Sequence, residues 1–325
     1  MKKIVMYEPS IGSDNLGDQI IVESIKCALN DYLHDSFVIE LPTHTPVNVR
    51  YLHFLDQKPA DMKFVCGSNI ITNNLFSFIH LRQWNIPLLS LSFIGPLVFI
   101  GVGAQKYNKK INKLSILAYK KIMKNIFLHS VRDTYTENIL KNHGINNVIN
   151  TACPTMWGLT EGHCKMIPFK KAYSCIVTLT DYNRNLERDN YIIRIIKKNY
   201  KDIYFWPQGN RDFDYFSSLE EHKGINIISP NLSGYDKFLD NNDTDYVGTR
   251  LHGGIRALQR FKRTIIIGID NRASELHKDF NIPFISQNEL YNLDDMINSP
   301  IITRIDLPEK NINIFLQQFK STGVI

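Results

Sequence analysis

The chain has 325 residues, 43% of them hydrophobic and 22% charged, an ordinary balance for a folded protein and enough length for two domains of about 150 residues each. Its net charge of +6 suits anionic substrates or an inner membrane surface, and the cations lack the dense stripe of a nucleic-acid binder. Five cysteines without a C-x-x-C pair and ten histidines without ligand spacing argue against a disulfide framework or a zinc site, so a reduced, cytoplasmic protein without a metal is expected.

In the first half, short apolar runs predict strands over 3–7, 37–41, 63–66, 97–102, 127–131 and 147–149. Helical spacing predicts helices over 19–33, 75–83, 111–125 and 134–142. The basic start is too short for a signal peptide, and the apolar stretch 86–102 is broken by Pro87, Gly95 and Pro96, so no membrane span is expected. Between 106 and 124 seven lysines alternate with Ile111, Leu114, Leu117 and Ile122. That pattern fits either a solvated helix face or a peripheral contact with anionic lipid.

Periodicity lapses from 151 to 168, which suggests a domain junction, with an N-terminal domain over 1–160 and a C-terminal domain over 161–325. The second half restarts with a strand over 174–179 and a helix over 186–200. Strands over 203–206, 225–228, 245–247 and 264–268 then alternate with helices over 212–221, 235–241, 251–261 and 273–280. A last helix, 311–319, is placed to return onto the first domain. Alternation of this kind predicts an α/β protein: two doubly wound, Rossmann-like domains facing a cleft, with ligands at the carboxyl ends of parallel strands.

Three segments fall at such strand ends. Asn15-Leu16-Gly17-Asp18 joins the first strand to its helix, with Asp18 suited to cap it and Gly17 to allow the turn. Ser130-Val131-Arg132-Asp133 ends a strand in a cation, and the alternative for Arg132 is local pairing with Asp133 or Glu137. Val247-Gly248-Thr249-Arg250-Leu251-His252-Gly253-Gly254 places a guanidinium and an imidazole at a helix start, where unpaired amides and the macrodipole favour an anion. There Arg250 is a planar fork for carboxylate or phosphate and His252 a proton donor or acceptor. Gly253 and Gly254 fit close approach by a ligand or another segment. Arg272 follows the next strand, with Asp270 or Glu275 as its local alternatives, and Trp206-Pro207-Gln208-Gly209 ends another.

Together the segments Asn15-x-Gly17-Asp18, Gly101-Val102-Gly103-Ala104-Gln105, Ser130-Val131-Arg132-Asp133 and Arg250-Leu251-His252-Gly253 resemble the polysaccharide pyruvyl transferase family, in the family's order and across most of the chain. The resemblance implies a fold similar to B-type glycosyltransferases and transfer of the enolpyruvyl group of phosphoenolpyruvate to a sugar, leaving a pyruvate ketal. It implies a saccharide or lipid-linked saccharide acceptor and no cofactor. On that reading Arg250, Arg272 and Gly253 of the C-terminal domain hold the donor together with Arg132, which points into the cleft from the N-terminal domain, and His252 with Arg250 is catalytic. Asn15, Gly17 and Asp18 serve the acceptor. Two departures stand out: Arg272 where members often have Lys, and Cys66-Gly67-Ser68 where they have a Gly-rich turn. A nucleotide-sugar glycosyltransferase and a non-catalytic carbohydrate-binding protein are the competing readings.

Overall fold

The computed structural model describes residues 1–45, 60–76, 83–84, 86–87, 90–91, 94–105, 107 and 110–320. Most of the helix predicted over 75–83, and the first lysines of the 106–124 run, lie outside the described residues. The chain divides into two compact units, one of residues 1–13, 21–157 and 308–325, the other of residues 14–20 and 158–307. The division falls between Trp157 and Gly158, and the segment carrying Asn15, Gly17 and Asp18 groups with the second unit although it lies early in the sequence.

The first unit is built on β1 (Lys2–Glu8), β2 (Ser36–Pro42), β3 (Met62–Cys66) and β4 (Val98–Ile100), paired in parallel in the order β2-β1-β3-β4. A bridge between Val102 and Val131 carries the order on to β5 (His129–Val131) and β6 (Val148–Asn150). Successive residues of a strand face opposite ways, and here both faces are covered, as parallel sheets require. Val5, Tyr7, Val65 and Phe99 enter one core, while Ile4, Met6, Phe64, Val98 and Ile100 enter another. Helix α1 (Leu16–Ala28) contributes Ile21, Val22 and Ile25 to the second core, and the C-terminal helix Glu309–Gln317 contributes Phe315. That last helix is pinned to the first unit by Gln318, which exchanges two hydrogen bonds with the Leu128 backbone, and by Asn311 on the Asn150 carbonyl.

The helix predicted over 19–33 is shorter and starts earlier: α1 ends at Ala28 and a single turn, α2 (Asn30–Leu33), follows. Asp18 therefore sits inside the first turn. The residue that precedes the helix is Asn15, whose side-chain oxygen accepts from the Gly17 amide at 3.1 Å. In the same unit α3 (Lys113–Ile122) begins at an Asn112 cap and α4 (Thr134–Asn142) at an Asp133 cap.

The second unit opens with the short α5 (Glu161–Lys165) and carries β7 (Ser174–Thr178), α6 (Leu186–Asn199), β8 (Asp202–Phe205), α7 (Asp212–Ser217), β9 (Asn226–Ile227) and α8 (Leu232–Asn241). It continues through β10 (Thr244–Gly248), α9 (Leu251–Gln259), β11 (Thr264–Gly268), α10 (Asn271–Phe280), β12 (Phe284–Ser286) and α11 (Leu293–Asn298). All six strands are parallel in the order β12-β11-β10-β7-β8-β9. The first strand thus lies beside the fourth, a reversal of the kind at whose carboxyl strand ends doubly wound folds bind ligands. Sequence pattern does not announce β12, because three residues after the left-handed Asn281 carry no periodicity.

Candidate functional site

The carboxyl end of β10 lies against β7 so closely that a side chain at Gly248 would strike the Thr178 backbone. Thr178 in turn meets the Tyr246 hydroxyl, which donates to the Arg250 carbonyl. These contacts fix the turn from which α9 springs. No side chain caps α9, as is also so for the short α7 and α11, whereas α6, α8 and α10 of the same unit are capped by Asn185, Asn231 and Asp270. An uncapped first turn presents the positive end of the helix dipole, here with His252 as its second residue. Gly253 and Gly254 serve packing. A side chain at Gly253 would meet Gln208, Tyr246 and Trp206, and one at Gly254 would meet Ile266 and Tyr246.

Arg250 is 4% exposed. Its Nε donates to Asp212 at 2.8 Å, and its Nη2 donates to Asp212 and, at 3.1 Å, to Asp181. A side chain at Gly209 would strike Nη2, so glycine there lets the guanidinium reach Asp212. The Asp212 carboxylate also accepts from the amides of Gly209 and Asp181. Burial still pushes its carboxyl up, against the pull of Arg250. No hydrogen bond from Nη1 of Arg250 is found among the described residues, so a ligand contact from this residue would come from that nitrogen.

Tyr182 links Arg250 to Arg272. The Arg250 guanidinium lies 5.1 Å from its ring centroid and that of Arg272 lies 5.6 Å from it. Arg272 also donates to the Tyr182 hydroxyl and, through Nε at 3.0 Å, to Asp270, the cap of α10. The local pairing anticipated for Arg272 is thus present, and its outcome is a fixed plane stacked on an exposed aromatic ring.

On the other side of the turn, Asn15, Gly17 and His252 come together through Gln208. The Asn15 side-chain oxygen accepts from Gln208 Nε2 at 2.9 Å, and the Gln208 carbonyl accepts from the Leu16 amide at 2.9 Å. A methyl group at Gly17 would stand 2.8 Å from Gln208 Nε2 and 3.3 Å from His252 Nδ1. Gln208 Oε1 is buried without a partner. Asp18, 7% exposed, follows within the same first turn of α1.

Arg132 belongs to the first unit. It is 5% exposed and its Nε donates to Asp133 at 3.0 Å, the local alternative to a ligand role. Its guanidinium lies where a Gly103 side chain would be, which explains the small residue in the Gly101–Gln105 segment. Arg250, His252, Gly253 and Arg272 group with the second unit. Sequence patterns missed Asp181, Tyr182 and Asp212. Their one shared signal is position: each falls directly after a strand of the second sheet or at the start of the helix beyond it. Among the described residues no three His, Cys, Asp or Glu side chains gather as a metal-binding group, and no helix is long and apolar enough to cross a membrane.

The profile of the family described as polysaccharide pyruvyl transferase matches residues 15–271. No curated protein matches the chain by sequence. Solved structures similar to it include the UDP-GlcNAc 2-epimerase of Methanocaldococcus jannaschii in complex with UDP-GlcNAc and UDP, with a TM-score of 0.58 and 12% identity over 97% of this chain and 98% of that one. The S. aureus MnaA–UDP structure gives a TM-score of 0.57 and 11% identity over 98% and 97%. The lipopolysaccharide outer core galactosyltransferase WaaB, in apo form, gives 0.51 and 8% over 99% and 96%. At these identities the likeness is one of fold: Rossmann-like α/β units of the B-type glycosyltransferase class.

Proposed function

The chain belongs to the polysaccharide pyruvyl transferase family, and from that premise we propose that it moves the enolpyruvyl group of phosphoenolpyruvate onto two hydroxyls of a saccharide, free or lipid-linked, on the cytoplasmic side of the cell. The observation that carries this reading is the first turn of α9, which has no capping side chain, holds His252, and is flanked by two guanidiniums on one tyrosine ring.

Phosphoenolpyruvate offers a carboxylate and a phosphate, which need cations and helix amides at separate points. The α9 amides and Arg272 take these groups, with Nη1 of Arg250 beside them. His252 protonates the methylene carbon, and the neighbouring carbon becomes cationic. One sugar hydroxyl adds there, phosphate departs by cleavage of its bond to that carbon, and the second hydroxyl closes the ketal. One proton enters at carbon and two leave the hydroxyls, one returning to His252 and one going with phosphate. Proton transfer of this kind contributes about a hundred- to ten-thousandfold in rate. Asn15, Gly17 and Asp18 are assigned to the acceptor side of His252, with Gln208 holding Asn15 in place.

Two of the solved relatives carry UDP, so a nucleotide-sugar donor on the same helix terminus is the rival reading. Calorimetry with phosphoenolpyruvate and with a panel of nucleotide sugars separates the two. Phosphoenolpyruvate should bind, and incubation with candidate glycosides should release phosphate and add pyruvate less one water to the acceptor mass. Binding of a nucleotide sugar alone, or an unchanged rate in His252→Ala, would overturn the proposal.

A further inference from the structure

Between Gln105 and Arg132 the sequence contains no aspartate or glutamate. Within that run α3 buries Ser115, Ala118, Tyr119 and Ile122 against the first unit. At 3.6 residues per turn, Lys120, Lys113, Leu117, Lys121 and Leu114 then fall within one outward arc of about 120°. The two leucines are 65% and 49% exposed, and just beyond the helix Ile126 is 71% exposed beside Lys124.

We infer that this face of α3, with Lys110 and Lys124 at its ends, is a docking surface for an anionic lipid bilayer. Two features single out that occupant. The charge is of one sign over the whole face, which suits a continuous negative plane. The leucines stand among the lysines, where they would enter the boundary between headgroups and acyl chains while the ammonium groups stay with the phosphates. With so few apolar groups the attachment is peripheral and reversible, and each lysine near the surface strengthens it about fivefold. Binding needs neither donor nor turnover, so the inference stands independently of the catalytic proposal.

The full chain should co-sediment with vesicles of phosphatidylcholine and phosphatidylglycerol at low salt and not with phosphatidylcholine alone. Lys113→Glu/Lys121→Glu should lower that affinity at least tenfold. Leu114→Ser/Leu117→Ser should weaken it and leave a residue fully reversed by salt. Both variants alter exposed side chains, and circular dichroism should show wild-type folding for both. Sedimentation velocity should show the same oligomeric state for all three proteins. No binding of the wild type to the mixed vesicles, equal binding to the neutral ones, undiminished binding by the charge-reversed variant, or a change of oligomeric state in the leucine variant would each overturn the inference.

Discussion

Arg250 and Asp212 form a buried two-point ion pair, with Nε and Nη2 of the arginine each meeting a carboxylate oxygen. Both side chains are almost fully enclosed, at 4% and 0% exposure, so removing one partner strands the charge of the other. Asp212→Ala should therefore cost about 3–5 kcal/mol in urea unfolding. The double variant Arg250→Met/Asp212→Leu should recover most of that stability and still lack activity, because the guanidinium beside the α9 terminus is gone. Wild-type stability for Asp212→Ala would show that the pair contributes nothing to the fold.

Tyr182 should act on donor affinity more than on the chemical step. Its ring sits beneath both guanidiniums and its hydroxyl meets Arg272. Tyr182→Ala removes two cation–π contacts, each about 0.5–1 kcal/mol at such an exposed site. Together they predict a rise in KM for the donor of about fivefold to thirtyfold, with kcat changed less. Tyr182→Phe keeps the ring and should lose only part of that. Equal effects of the two variants would place the contribution in the hydroxyl instead of the ring.

How much of this was legible in the sequence depends on whether the information is local. The β10–α9 turn is readable because an apolar strand, Gly248 and helical spacing after Leu251 lie side by side. Alternating strands and helices likewise reveal the parallel sheets. Asp212, by contrast, is 38 residues from Arg250 and reads as an ordinary helix-start acid. The grouping of Asn15 with Gln208 spans 193 residues. Pairings of that separation follow from strand order, which periodicity does not encode. The start of α1 is ambiguous in the sequence for a smaller reason: Asp18 and Asn15 are both good caps, and Asn15, which takes the Gly17 amide, also bridges to the distant Gly209.

Gly17 makes a test of the acceptor side. Its backbone is not left-handed, so alanine suits the helix, a gain of about 1 kcal/mol set against about 1–3 kcal/mol for crowding the buried Gln208 side chain. The new methyl would press on Gln208 Nε2 and stand beside His252 Nδ1. Small displacements of a reacting group can cost up to about a hundredfold in rate, so turnover should fall by roughly tenfold or more. If His252 carries that loss, Gly17→Ala should have little further effect in a His252→Ala background. Additive losses would separate Gly17 from the imidazole.

His129 predicts an acid limit for the first unit. The residue is fully buried in β5, edge-on to Phe99, with Nδ1 accepting from the Phe99 amide at 3.3 Å. Burial pushes its pKa down to about 4, with the carbonyls of Lys124 and Met123 opposing the shift, from an ordinary value of 6.5. The unfolded chain therefore takes up a proton near pH 6.5 that the folded chain refuses until about pH 4. The contribution to stability is complete above pH 6.5 and is lost as pH falls towards 4, by about 3 kcal/mol in all. His129→Gln, which keeps an acceptor for the Phe99 amide, should lack this component. Its unfolding free energy should converge on that of the wild type, or exceed it, as pH drops through that window. Wild-type and variant curves that run parallel between pH 7 and pH 4 would show that the imidazole takes up its proton at the same pH in the folded and unfolded chains, contrary to its enclosure.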